Sequence, residues 1–297
     1  MIDMRGKVCV ITGATSGIGR AAALALGRAG ADLFLLGRNG GRAKNVLSRI
    51  RACRCGGNAE FLKCDLSSWQ QIRDVAAAIR SAATCVDVLI NNAGARFESF
   101  QLSADNVEMT FAVNHLGHFL LTALLLDRLL DAPEGRVINV SGERHRGAES
   151  DFEKCLNPLT YDRRGALSTA KLANLVFTFE LAARLRGAGV CVNAVHPGAV
   201  ATRASSNGSL LPWLRHMTSH LLRGGLISAQ KGADTLVYLA ASPEVKGGSG
   251  QYYYCRKPLE PSLESKNSEA ARRLWEISLK MTHLDAAIGA GWRFFKP

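Results

Sequence analysis

No two cysteines in this 297-residue chain stand at the C-x-x-C spacing of a metal knot or a redox pair. Cys9, Cys53, Cys55, Cys64, Cys85, Cys155, Cys191 and Cys255 are scattered, several within apolar runs where a thiol acts as a small hydrophobe. A reducing, cytoplasmic setting and no metal site are expected. Residues 1–7 lead directly into an apolar strand pattern, so no signal peptide is expected either. The greasiest stretch, residues 116–130, is broken by His118, Asp127 and Arg128 and is too short to span a bilayer. Acidic residues are few, 25 against 37 basic ones, for a net charge of +12. The basic residues are dispersed and not interleaved with aromatics, which argues against nucleic acid and leaves anionic small ligands or an anionic membrane surface. No repeat or low-complexity linker divides the chain. Residues 1–297 are expected to form a single α/β domain whose core the 47% of hydrophobic residues can fill.

What is present begins with a glycine loop, Thr12-Gly13-Ala14-Thr15-Ser16-Gly17-Ile18-Gly19. It follows the apolar run 8–11, which reads as a buried strand, and opens into 20–26, which reads as a helix. Strand, glycine turn and helix make a dinucleotide cradle: glycines let the backbone approach a pyrophosphate, and the helix N-terminus faces the anion. The spacing is G-x-x-x-G-x-G, not the commoner G-x-G-x-x-G. A turn with no ligand is the bland alternative.

Further strands are read at 31–36, 60–64, 86–90, 136–140, 190–195 and 249–255, with helices over 41–52, 72–83, 107–130, 167–186 and around 235–240. About seven parallel strands flanked by helices, a Rossmann-like doubly wound sheet, follow from that alternation. The second strand ends at Gly37-Arg38-Asn39, where an acidic residue would bond the 2′-hydroxyl of NAD. None is there; Arg38 suits a 2′-phosphate, with Arg20 as a second cation, and NADP(H) is favoured over NAD(H). The alternative is a solvated arginine at a strand end. Asp65, followed by Leu66, either caps the next helix or touches an adenine. The small residues of Asn91-Asn92-Ala93-Gly94 allow a close backbone approach.

Thr12 to Gly19, Asp65 and Asn91 to Gly94, in this order and at these separations, resemble the short-chain dehydrogenase/reductase family. Residues 111–119 (FAVNHLGHF), 168–174 (STAKLAN), His196-Pro197-Gly198 and 274–278 (LWEIS) resemble its retinol-dehydrogenase-like branch. The resemblance covers nearly the whole chain, although the leading membrane segment of many members is not expected here. It implies cofactor contacts at Thr12, Gly13, Ser16, Gly17, Ile18, Gly19, Arg38, Asp65, Leu66, Asn92, Ala93, Gly94 and Lys171. The turn Pro197, Gly198, Val200 and Thr202 would meet the nicotinamide. It also gives Asn114 the task of holding a water near a catalytic lysine, Lys171; a polar amide in an apolar helix otherwise stays structural.

Two positions depart from the family pattern. A tyrosine four residues before the lysine shares a helix face with it and moves the proton; here that residue is Leu167. A serine after the fifth strand bonds the substrate oxygen; here Gly142 takes its position. Ser141 remains, pointing the other way along an extended segment unless the loop shifts by one residue. Glu143 and His145 are candidate replacement acids or bases, and Tyr161, ten residues before Lys171, reads as a loop aromatic.

Three functions stay open: an NADP(H)-dependent oxidoreductase on a hydrophobic small molecule, such as an iminium or enone, with a non-standard proton route; a redox-neutral cyclase or isomerase; and a non-catalytic dinucleotide-binding protein. A lid at about 205–227 and an extension at about 256–297 are expected, the lid over a lipophilic ligand, against an anionic group or membrane surface, or simply a surface helix packed on the body. The tail, 291–297, closes a pocket, contacts a partner or frays. The apolarity of 107–130 on more than one face suggests a homodimer.

Overall fold

Runs of consecutive apolar residues alternate with stretches whose apolar positions recur at helical spacing, and they become strands buried on both faces and helices buried on one. In the computed structural model, which describes residues 2–53, 56–200, 227–284 and 292–296, β1 (Val8–Thr12), α1 (Gly17–Arg28), β2 (Asp32–Gly37), α2 (Gly40–Arg51), β3 (Ala59–Lys63) and α3 (Trp69–Ala82) come first. Next are β4 (Val88–Asn91), α4 (Met109–Leu130), β5 (Gly135–Val140), α5 (Arg163–Arg184) and β6 (Val190–Val195). Then come α6 (Ala229–Ala241), β7 (Gln251–Tyr254), β8 (Lys257–Pro258), α7 (Ser268–Thr282) and the short α8 (Trp292–Phe295).

The sheet order is β3-β2-β1-β4-β5-β6-β7-β8. Its first seven strands are parallel, as the alternation predicts, and the two-residue β8 turns back antiparallel on β7. The order reverses between β1 and β4, so the carboxyl ends of those strands open a crevice where doubly wound sheets bind ligands. One face of the sheet buries apolar side chains against α1, α2 and α6, among them Leu24, Ile50 and Leu236. The other packs against α3, α4, α5 and α7.

Helix α4 is not uniform. Residues 112–116 form a π turn in which the Gly117 N–H bonds Ala112 O, five residues back, and Asn114 sits inside this bulge. Helix α5 begins four residues before its apolar periodicity does, because Asp162 caps it by accepting from Gly165 N at 2.6 Å. Helix α7 has no counterpart among the helices read from the sequence.

The C-terminal residues pack onto the body. Phe295 is fully buried, with ring centroids 5.2 Å from Phe119 and 5.0 Å from Trp275. The Trp275 indole N–H donates to Phe295 O at 3.1 Å, and Arg184 lies over the Trp275 ring and donates to Lys296 O at 2.6 Å. A buried aromatic of this kind contributes about 3–5 kcal/mol on the scale of truncation to alanine. The second apolar face of α4 is therefore covered by α7 and Phe295, and its apolarity is accounted for within the chain. Within the tail, Phe295 packs on α4 and α7.

Candidate active site

The cradle is built at the start of α1. Gly13 and Gly17 adopt φ of 67° and 53°, conformations that side chains with a Cβ resist. A Cβ on Gly19 would collide with Gly13 O and the Asn92 amide, so helix and loop close to backbone distance. The first-turn amides of α1 receive no side-chain cap: Ser16 precedes them without bonding them. By contrast Asn39, Ser68, Glu108, Asp162, Ser228 and Asn267 cap α2 to α7 in turn. An uncapped helix end at a glycine loop leaves donors and positive potential for an anion, and fits a pyrophosphate.

Thr12 ties this loop to the end of β4. Its hydroxyl accepts from Asn92 N at 2.9 Å and Ala93 N at 3.0 Å, while Asn92 Nδ2 donates to Thr12 O at 2.8 Å. His118 Nε2 lies 2.9 Å from the same hydroxyl, and His118 Nδ1 lies 3.1 Å from Asn114 O. A carbonyl needs a donor, so Nδ1 carries the proton and Nε2 accepts from Thr12. Burial pushes the His118 pKa down to about 3, which keeps the imidazole neutral. On the far side, a Cβ at Gly232 of α6 would meet Ile18, Val200 and Pro197 O, so the expected nicotinamide turn lies against the cradle. Gly198 has a φ of 81°. Thr202 and residues 205–226 of the expected lid lie outside the described residues.

At the adenosine end, Arg38 is largely exposed and 3.8 Å from Asp65. Asp65 does not cap α3; its Oδ1 accepts from Ser67 N and Ser67 Oγ, closing a local turn, and the cap falls to Ser68, helped by Asp105 on Trp69 N. Leu66 is buried, and its carbonyl leaves no room for a side chain at Gly117 of α4.

At the other end stand Asn114 and Lys171. Asn114 is 1% exposed; its Nδ2 donates to Ala95 O at 2.6 Å and Thr110 O at 2.7 Å, and its Oδ1 has no partner among the described residues. Lys171 Nζ donates to Val140 O at 3.1 Å. A Cβ on Gly94 would sit 2.7 Å from Asn114 Oδ1 and 3.8 Å from Lys171 Nζ, so glycine there lets both polar atoms approach the backbone. Desolvation alone brings the Lys171 pKa down to about 8.

One turn before Lys171 on α5, Leu167 is half-buried and presents no polar atom. Gly142 has φ 157° and ψ 166°, a region essentially reserved for glycine, and among the described residues no atom lies within 4 Å of where a Cβ would project. Ser141 is buried and donates from Oγ to Lys171 O at 2.7 Å. It is turned under α5, which removes the one-residue shift that would restore it. The two candidate replacements are also placed elsewhere. Glu143 is exposed and paired with Arg146 at 2.6 Å. His145 is buried, Nδ1 donating to Gly142 O at 2.7 Å and Nε2 accepting from Ser262 N at 3.1 Å, so neither nitrogen is free to exchange a proton. Tyr161 OH lies 3.4 Å from both Thr110 Oγ1 and Phe97 O.

Two residues that the sequence reading left out belong to the site's frame. His118 joins the cradle to Asn114, and Asn174 Nδ2 donates at 3.1 Å to the same Val140 carbonyl as Lys171. The available signal was spacing: His118 is four residues after Asn114 and Asn174 three after Lys171, so each pair shares a helix face.

Comparison with known proteins agrees with this geometry. Residues 7–209 match the short chain dehydrogenase family model. Retinol dehydrogenase 14 of Mus musculus is 37% identical over 286 residues, covering 93% of this chain and 85% of that protein. Among solved structures, an uncharacterised protein from Mycobacterium paratuberculosis superposes with a TM-score of 0.74 at 30% identity, covering 96% of each chain. A protein from Beutenbergia cavernae assigned as an NAD(P)-dependent gluconate 5-dehydrogenase, with NADP bound, gives 0.66 at 28% identity over 84% of this chain and 95% of its own. The chain belongs to the short-chain dehydrogenase/reductase family, and within it to the retinol-dehydrogenase-like branch.

Proposed function

We propose that this protein is an NADP(H)-dependent oxidoreductase that acts on a hydrophobic small molecule without the tyrosine-led proton transfer usual in its family. The observation that carries the reading is the coexistence of a complete cradle, with uncapped α1 amides and Arg38 beside it, and a leucine one turn before Lys171. The relative named for retinol, an apolar alcohol, and the NADP-bound neighbour support the substrate class and the cofactor.

A bound NADP(H) supplies or accepts a hydride at its nicotinamide. The chain's own residues do the rest. The amides of Gly17 to Gly19 take the pyrophosphate, and Arg38 releases Asp65 to meet the 2′-phosphate, an exchange of one anion for a more highly charged one. The 197–200 turn packs against Ile18 and fixes the nicotinamide end. Lys171 offers its ammonium near Gly94, and Asn114 offers a carbonyl, unpaired among the described residues, for a water. Loss of a general acid lowers turnover about 10²- to 10⁴-fold, and loss of an oxyanion donor about 10²- to 10³-fold. Electrophiles that need neither are favoured: an iminium takes hydride with no proton at the receiving centre.

Stopped-flow oxidation of NADPH with a panel of iminium, enone and carbonyl compounds tests the reading. The expected result is iminium turnover above ketone turnover. NADPH that binds and is oxidised by no member of the panel overturns it.

A further inference from the structure

We propose that Lys171 is itself the proton donor to substrates that require one, its ammonium and a water held between it and Asn114 taking the place of the absent phenol. This deepens the reductase reading above and rests on it.

The first support is elimination. Among the described residues, His118 is engaged on Thr12 and Asn114 O, Ser141 on Lys171 O, and His145 on Gly142 O and Ser262 N, while Tyr161 OH lies 3.4 Å from Thr110 Oγ1 and Phe97 O. Glu143 is turned outward onto Arg146. Lys171 spends one ammonium hydrogen on Val140 O and has two with no partner among the described residues.

The second support is an unsatisfied carbonyl. Asn114 is almost completely buried and has used both amide hydrogens, yet among the described residues its Oδ1 has no partner, a costly state unless a donor arrives. Oδ1 and Nζ both come within 4 Å of the Cβ point of Gly94. A water accepting from Nζ and donating to Oδ1 satisfies both.

The third support is electrostatic. The groups facing Nζ are the Val140 carbonyl from β5, the Asn114 amide and neutral His118 from α4, and the Gly94 backbone; burial alone shifts its pKa, to about 8. An ammonium in that range gives up a proton readily near neutral pH, whereas one at the usual 10.5 does not.

The step balances with the reduced dinucleotide as the two-electron donor. The carbonyl carbon gains hydride, the C=O π pair moves to oxygen, an Nζ–H bond breaks and an O–H bond forms. The neutral amine is then reprotonated from solvent through the water on Asn114.

The test begins without cofactor. The 13Cε resonance of Lys171, assigned by its loss in Lys171→Arg, is titrated in the free protein, and a midpoint near 8 is expected. A midpoint near 10.5 overturns the proposal. With NADPH, ketone and preformed iminium are compared in wild type and Lys171→Arg, which keeps a cation but cannot release its proton. The ratio of ketone to iminium turnover is expected to fall at least about 100-fold, and wild-type ketone reduction to decline above about pH 8 while iminium reduction does not. Equal losses for both substrates overturn the proposal and make Lys171 a cofactor ligand only. A wild type that turns over neither substrate overturns the parent reading and this one with it.

Discussion

On the proposed reading Leu167 and Gly142 stand where two hydroxyls would act, and the two positions differ in structure. Leu167 occupies an ordinary helical position, so a tyrosine there requires no backbone change. At Gly142 no atom of the described residues stands within 4 Å of a Cβ, but the backbone resists one. We therefore expect Leu167→Tyr alone to raise ketone reduction by about 10²-fold, within the range of a restored general acid. Adding Gly142→Ser should contribute less than about tenfold until the loop relaxes. Steady-state kinetics of both variants checks this, and a double variant no better than wild type would mean that the ketone does not reach Lys171. Both positions are read from the sequence by their spacing from Lys171 and β5. The fates of Glu143 and His145 are not, because they depend on Arg146 and on Ser262, the latter 117 residues away.

At the scale of elements, α4 carries two buried histidines that tie it to different neighbours. His115 bonds Asn174 of α5 and Ser278 of α7, while His118 bonds Thr12 at the cradle. Burial holds both below the usual 6.5, to about 4 and about 3. Unfolded chain therefore takes up protons that folded chain refuses, beginning as pH falls through 6.5. Stability is complete above that value and is lost between 6.5 and 4, at about 1.4 kcal/mol per pH unit for each histidine. The pair should contribute about 4 kcal/mol to the difference in urea unfolding between pH 7.5 and pH 5, and His115→Gln should remove roughly half of that contribution. An unchanged midpoint over this interval would contradict the neutral pair. The pattern of apolar runs revealed α4 itself, since helical periodicity is local. Its π turn and its bond to Thr12, 106 residues distant, rest on tertiary partners that no window of sequence contains. The same holds for Phe295, whose ring contacts come from α4 and α7.

The net charge of +12 has a distribution that bears on cofactor capture. Helices α1 and α2, which flank the cradle, contain Arg20, Arg28, Arg42, Lys44, Arg49 and Arg51 and no acidic residue. Among the described residues none of the six has an ion-pair partner, so their field is not neutralised locally. A flank of one sign around a crevice raises the encounter rate with a polyanion more than it raises the lifetime of the complex, because it acts at a distance and is screened by salt. Raising ionic strength from about 0.01 to about 0.3 M shortens the screening length from roughly 30 Å to below 10 Å. The association rate of NADPH, followed by stopped-flow fluorescence, is expected to fall roughly tenfold over that range with little change in dissociation. Arg42→Glu combined with Arg49→Glu lies outside the cradle and should flatten the salt dependence while leaving the dissociation rate within about twofold. A wild-type rate indifferent to salt, or a double variant with the wild-type slope, would assign capture to the contacts at Arg38 and the α1 amides alone.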